Sequence, residues 1–304
     1  MSEFDLDPEM LAFIDRYLKV SSLSTATSIA EQRHDYDAIV QYFCHPHPAG
    51  ITSVDTSAEG RHGDIPLRHY RYVEGNDNAL ILFIHGGGFI LGSLDSHDDI
   101  CAELCAKTGY DLVSVDYRLS PEFYHPAHLD DVEDTFRSLA HDNTILVGAS
   151  AGATLGAALC YRLSAAANGP AGQVLIYPSL GGDCLDLESY RVNANAPLLS
   201  TEDIAFYRGT RCAGNELPTN DPEFYPLLAT DFSNTPPSIV ISADIDPLRD
   251  DAELYVERLQ SAGAEAQWIN ESGMVHDYLR ARHVSAAAGA AFDRICQSIT
   301  RLAE

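Results

Sequence analysis

With 304 residues, 45% of them hydrophobic, the chain is long enough to bury one large core with a modest accessory unit. Its 45 acidic against 19 basic residues leave a formal net charge of −26, which excludes nucleic acid and anionic membrane surfaces as partners, since both require a basic patch. No apolar run approaches the roughly 20 residues of a membrane span, so stable membrane insertion is not expected.

Asp7-Pro8 starts a first helix with an N-cap and a first-turn proline, and Met10, Leu11, Phe13, Ile14, Tyr17 and Leu18 form its apolar stripe. A second helical stretch covers about residues 27–43. Cys44-His45-Pro46-His47 then reads as a Pro-broken loop without partners at zinc spacing. Extended segments at 51–56 and 65–73 follow. A buried strand at 79–84 closes in His85-Gly86-Gly87-Gly88, the pattern of a loop that offers backbone N–H donors to an oxyanion. Cys101 and Cys105, one helical turn apart, read as helix packing. After a strand at 111–116, Asp116 and Arg118 read as braces of that loop.

The strand at 143–147 closes in Gly148-Ala149-Ser150-Ala151-Gly152, which fits G-x-S-x-G, a strained strand-to-helix turn that exposes a serine. Another strand occupies 173–177. Between Pro178 and Pro226 the alternation stops, apart from a helical patch near 201–211, so this stretch reads as an insertion after the sixth strand. A strand at 238–243 precedes Asp244 and Asp246, while Asp250 and Asp251 read as first-turn acids that complement a helix dipole. The last strand is expected at 264–269, with His276 in a turn behind it and His283 in solvent at the start of an Ala-rich helix. Eight strands with helices between them imply a largely parallel sheet covered on both faces.

A serine hydroxyl is a weak nucleophile, so a base must take its proton and an acid must orient the base. Only His276 and His283 lie downstream of Ser150, and position favours His276. For the acid, Asp244 and Asp246 both sit at a strand end, and spacing does not decide between them. G-x-S-x-G alone is a weak signal. Its pairing with H-G-G-G, each after a strand and in this order, is a strong one.

Five segments together resemble the hormone-sensitive-lipase-like family of α/β-hydrolases: residues 85–88, Asp116-Tyr117-Arg118-Leu119-Ser120-Pro121-Glu122, residues 148–152, Asp246-Pro247-Leu248-Arg249-Asp250 and Gly273-Met274-Val275-His276. The resemblance implies an α/β-hydrolase fold and carboxylesterase activity. It also implies Asp246 as the acid beside Ser150 and His276, with Gly87, Gly88 and Ala151 as oxyanion donors and Gly86 as a weaker candidate. It further implies that residues 1–50 and the insertion at 179–226 cap a catalytic domain of residues 51–304. Three positions depart from the family pattern: Ala149 before the serine, Ala153 after the elbow, and Asp277-Tyr278 where Gly-Phe is usual.

The expected chemistry is acyl transfer to Ser150 and hydrolysis of the acyl-enzyme, on short-chain esters, without metal or organic cofactor. The expected partner is a small-molecule ester; a homodimer is left open. The same triad would serve an amidase or peptidase, and the fold also carries non-catalytic small-molecule receptors, from which an intact histidine position separates this chain. The opening Met1-Ser2-Glu3-Phe4-Asp5-Leu6-Asp7 lacks the basic and apolar regions of a signal peptide, and seven scattered cysteines suit reduced thiols. Both make a cytoplasmic location the default expectation.

Overall fold

Strands covered on both faces need apolar side chains on both, so residues 80–84 and 144–147 read as continuous runs. The computed structural model of the chain describes residues 4–21, 28–139, 141–166, 168–213 and 216–304, and it places both runs in the middle of one sheet. The chain opens with helices α1 (Pro8–Ser21) and α2 (Ile29–Phe43), then strands β1 (Ile51–Gly60), β2 (Gly63–Tyr72) and β3 (Asn76–Ile84). Next come α3 (Asp98–Thr108), β4 (Tyr110–Val115), α4 (Ala127–Ser138), β5 (Thr144–Ala149), α5 (Ala151–Arg162) and β6 (Gly172–Ile176). The insertion carries α6 (Ser189–Val192) and α7 (Thr201–Arg211), after which β7 (Ser238–Ile245), α8 (Arg249–Ser261), β8 (Ala266–Val275) and α9 (Ala286–Ala303) complete the chain.

The strands lie in the order β1-β2-β4-β3-β5-β6-β7-β8, with β2 antiparallel to both its neighbours and every later pairing parallel. Period-two alternation splits the core between two faces. Ile81 and Phe83 pack with α3, α9 and the first two helices, while Leu82 and Ile84 point to α4 and α5. A third cluster seats α8 and α5 against Leu175 and Val240. Phe13 of α1 meets Phe43 of α2 edge-on, with ring centroids 5.0 Å apart, so the two N-terminal helices join the core rather than trailing from it.

One expectation needs correction. The last strand does not stop at 269. Its pairing with β7 shifts between Ala243 and Ile245, and Asp244 closes the irregularity by accepting Asn270 Nδ2 at 3.1 Å and the Gly273 amide at 3.2 Å. Gly273 takes a φ of 69°, a conformation open to glycine, and pairing with β7 resumes at Val275. The polar run Asn270-Glu271-Ser272 imitates a turn in sequence although it is bulged strand.

Asp251 stands in the first turn of α8, as expected, and does more than complement its dipole. It is fully buried, and its Oδ2 accepts the amides of Leu180 at 2.6 Å, Gly181 at 3.0 Å and Gly182 at 3.2 Å, tying the start of the insertion to α8. Burial lifts its pKa from 3.8 to about 7 against the pull of those donors. The folded chain therefore binds this proton more tightly than the unfolded chain. The resulting stability is complete below the unfolded value and is lost as pH rises through about 7. Asp251→Asn keeps an acceptor and removes the titration. Thermal melts of this variant between about pH 4 and about pH 8 should show a shallower fall in stability with pH than the native chain. Parallel curves would refute this account.

Candidate active site

The peptide leaving β5 must turn into α5 within one residue, and Ser150 makes that turn with φ 53° and ψ −117°. A non-glycine residue held there costs on the order of 1–3 kcal/mol. The neighbours make the strain tolerable. A Cβ on Gly152 would overlap the carbonyl of Ile84, one on Gly148 would overlap the backbone of Gly152, and the Ser150 amide donates to Ile176 O at 2.9 Å. The glycines of the motif are thus required by close backbone approach.

Three side chains from three loops meet at the carboxyl edge of the sheet. Ser150 Oγ lies 2.9 Å from His276 Nε2, and His276 Nδ1 lies 2.6 Å from Asp246 Oδ2. A carboxylate can only accept, so Nδ1 carries the proton and Nε2 is left as the acceptor for the serine hydroxyl. Asp246 is fully buried; its other oxygen accepts the Leu248 amide at 2.9 Å, and Asn193 from the insertion donates to its backbone carbonyl at 3.0 Å. Of the two aspartates that spacing leaves open, Asp246 faces the imidazole, while Asp244 is engaged by Asn270 and Gly273. His283 lies elsewhere, bonded to Glu103 Oε1 at 2.6 Å.

The glycine loop after β3 curls over the same point. Gly87 and Gly88 have φ of 124° and 62°. No acceptor among the described residues engages the amides of Gly87, Gly88 or Ala151. The loop is braced from several sides. Tyr117 stacks on His85, centroids 4.3 Å apart, and donates to His85 O at 2.9 Å; the Ser120 amide donates to Phe89 O at 2.9 Å. His85 is buried, and desolvation lowers its pKa to about 4, so it is neutral at pH 7.

The expected braces Asp116 and Arg118 act less directly. Arg118 ties its segment to Asp131 of α4, and Asp116 comes no nearer than 4.0 Å to His85. Sequence reasoning missed Arg33 of α2, which donates to Ile90 O at 2.8 Å, to Ser120 O at 2.9 Å and to Glu122. It also missed Arg211 of α7, whose buried guanidinium lies between the rings of Phe89 and Phe224, 4.0 Å and 4.2 Å from their centroids.

A cavity of about 110 Å³ opens beside Ser150. Gly86, Gly87, Gly88 and Ala151 line one side of it, Tyr17 and Tyr36 of the N-terminal helices another, and Leu198, Leu199, Ile204 and Tyr207 of the insertion a third. Among the described residues, one group has donor atoms close enough for a metal ion: His125, Asp221 and Glu223. These donors are already engaged. His125 Nε2 bonds Asp221 at 2.9 Å, Arg162 holds Glu223, and none of the three lines the Ser150 cavity.

A family model described as the alpha/beta hydrolase fold matches residues 81–280, which span the glycine loop, the elbow and the histidine. The chain belongs to the α/β-hydrolase family. It is similar to the carboxylic ester hydrolase LipN of Mycobacterium tuberculosis, with 30% identity over 97% of this chain and 82% of that protein. It is 33% identical to the ethyl acetate hydrolase of Pseudomonas putida over 74% of this chain and 75% of the relative. Among solved structures, an esterase of Pyrobaculum calidifontis superposes with a TM-score of 0.85 at 28% identity, covering 98% of this chain and 99% of the other.

Proposed function

We infer that this α/β-hydrolase is a serine carboxylesterase that cleaves short-chain acyl esters through an acyl-enzyme on Ser150. The observation that carries the reading is the continuous line from Ser150 Oγ through His276 to buried Asp246, opening on a cavity beside unengaged amides. Ser150 attacks the ester carbonyl as His276 Nε2 takes its proton, and Asp246 stabilises the imidazolium that forms. The amides of Gly87, Gly88 and Ala151 receive the oxyanion. His276 then protonates the departing alkoxide, and water repeats the sequence to release the acid. Residues 1–50 and 179–226 act as a cap on the catalytic unit of 51–304; their support is the share of cavity wall they supply.

Short acyl groups are favoured by the cavity's size, well below the roughly 300 Å³ at which pockets begin to hold drug-sized ligands. One relative is named for ethyl acetate, a two-carbon acyl ester. A series of p-nitrophenyl esters tests the reading: kcat/KM should be highest for acetate to butyrate and fall towards laurate. A preference for laurate would overturn the short-chain assignment, and hydrolysis of none would overturn the activity. In Tyr207→Ala, which removes one wall of the cavity, the optimum should move to longer chains.

The oxyanion donors have their own test. A Cβ on Gly88 would lie 2.5 Å from the ring of Tyr207, and the positive φ at this position already disfavours a side chain. Gly88→Ala should therefore twist the loop and lower kcat by two to three powers of ten, the typical cost of about 3–4 kcal/mol for one lost donor. Displacing Tyr207 should also raise KM. Adding Tyr207→Ala relieves the overlap but not the unfavourable φ, so KM should recover more fully than kcat. Gly209→Ala, with open space around its Cβ, is the control. Gly92→Ala cannot serve, because at φ 98° its Cβ would strike His85 and Gly86 O. An unchanged kcat in Gly88→Ala would move the donors elsewhere.

A further inference from the structure

The residue after the catalytic base is an aspartate that faces the substrate cavity. Asp277 takes the left-handed conformation, φ 60°, which turns its side chain into the cavity wall beside His276. Its Oδ2 accepts Arg280 Nε at 2.9 Å. Arg280 lies behind it, 2% exposed, and spends its other nitrogens on Ser96 O at 3.2 Å and the Tyr36 hydroxyl at 2.7 Å. Asp277 Oδ1 has no partner among the described residues. The ion pair is therefore lopsided: the guanidinium is sealed in the protein, while the carboxylate belongs to a residue of the cavity wall and keeps one oxygen without a partner among the described residues.

The walls around that oxygen are aromatic. Tyr17, Tyr36, Tyr177 and Tyr207 line the cavity with it, and the charge of Asp277 is felt at all four hydroxyls, helping burial to hold Tyr36 up at about 12. Among the described residues, Arg208 and His97, which line the cavity together with the base His276, offer no competing free cation. Arg208 is in contact with Asp183, and buried His97 is held neutral by desolvation. The Tyr36 ring already has the Arg280 guanidinium 5.2 Å from its centroid, which leaves Tyr17, Tyr177 and Tyr207 as the aromatic wall; aromatic rings and a carboxylate together are the recognition chemistry of an ammonium group. A chain of net charge −26 also draws cations towards its surface.

We propose that Asp277 and the tyrosines around it make this enzyme selective for esters of cationic amino alcohols, with the ammonium of the leaving alcohol seated against Asp277 Oδ1. The alcohol is the half assigned to this side because its oxygen must come to His276 Nε2 to be protonated, and Asp277 is the next residue. The proposal rests on the carboxylesterase reading of the same site. The reaction is unchanged: water supplies the hydroxyl to the acyl carbon, the acyl–oxygen bond breaks, and the alcohol leaves with the proton from His276.

The test compares acetylcholine with 3,3-dimethylbutyl acetate, a neutral ester of the same shape, at physiological ionic strength. The expected kcat/KM for acetylcholine exceeds that for the neutral ester by about tenfold or more, and in Asp277→Asn the ratio collapses towards one. Because the neutral ester reports on the hydrolytic machinery in each protein, a general loss of activity leaves the ratio intact. A ratio of one or less in the unmodified enzyme overturns the proposal, as does a ratio that survives in Asp277→Asn. If the variant does not fold, choline should inhibit p-nitrophenyl acetate hydrolysis by the unmodified enzyme at about a tenth of the concentration needed for 3,3-dimethylbutan-1-ol, and equal inhibition overturns the proposal. Failure to hydrolyse either acetate or p-nitrophenyl acetate would instead sink the carboxylesterase reading, and this inference with it.

Discussion

Ser150→Ala is expected to lower turnover of p-nitrophenyl acetate by about a millionfold, the scale seen when the nucleophile of a serine triad is removed. It should also abolish covalent labelling by an organophosphonate. The fold should not change, for a structural reason. The strained φ of 53° at this position is imposed by the backbone bond to Ile176 O and by the close approach of Gly152 to Ile84, neither of which involves the hydroxyl. Alanine keeps the Cβ and the strain, so the melting temperature should stay within a degree or two. Mass spectrometry of the labelled protein separates this assignment from any other. Phosphonate found on the variant would show that a different side chain is the nucleophile.

The parts of the site written in consecutive residues were legible in the sequence because each answers a local backbone demand. Gly148 and Gly152 are fixed by contacts with the chain beside them, and Gly87 and Gly88 by their left-handed φ, so the motif and the geometry are one constraint. The sheet was legible for the same reason, since burial on both faces leaves continuous apolar runs. What sequence could not supply were contacts closed between distant segments. Asp251 looked like an ordinary first-turn acid, and only the fold brings Leu180 to Gly182 onto it from about 70 residues away. Arg33 reads as a polar residue on an amphipathic helix; its grip on Ile90 and Ser120 exists only once α2 lies over the glycine loop. Tyr17, Tyr36 and Tyr207 likewise belong to three separate helices and come together only at the cavity. Asp277 was visible as a departure from the family pattern, but its place in the cavity wall shows only in the folded chain, where it follows His276 in an αL turn.

Replacing Asp246 should cost less than replacing Ser150 and far more than replacing Asp244, although the two aspartates stand at the same strand end. Asp246→Asn puts an amide opposite His276 Nδ1. If the amide nitrogen faces the ring, it can only donate, and the imidazole must then carry its proton on Nε2, the atom that has to accept from Ser150. If the amide oxygen faces the ring, the tautomer survives but the negative charge that stabilises the imidazolium is gone. Either route lowers kcat, on the order of a thousandfold or more, with KM little changed because the substrate does not touch this residue. The buried position adds a stability readout: the amide of Leu248 still finds an oxygen in only one of the two orientations, so the variant should melt somewhat lower. Asp244→Asn keeps an acceptor for the Gly273 amide or for Asn270 but not both as well as a carboxylate does. Its effect should fall on the β7–β8 bulge that delivers His276, giving a loss of about tenfold or less. Steady-state kinetics of both variants on one ester decides the matter, and a larger loss in Asp244→Asn would transfer the orienting role to that residue.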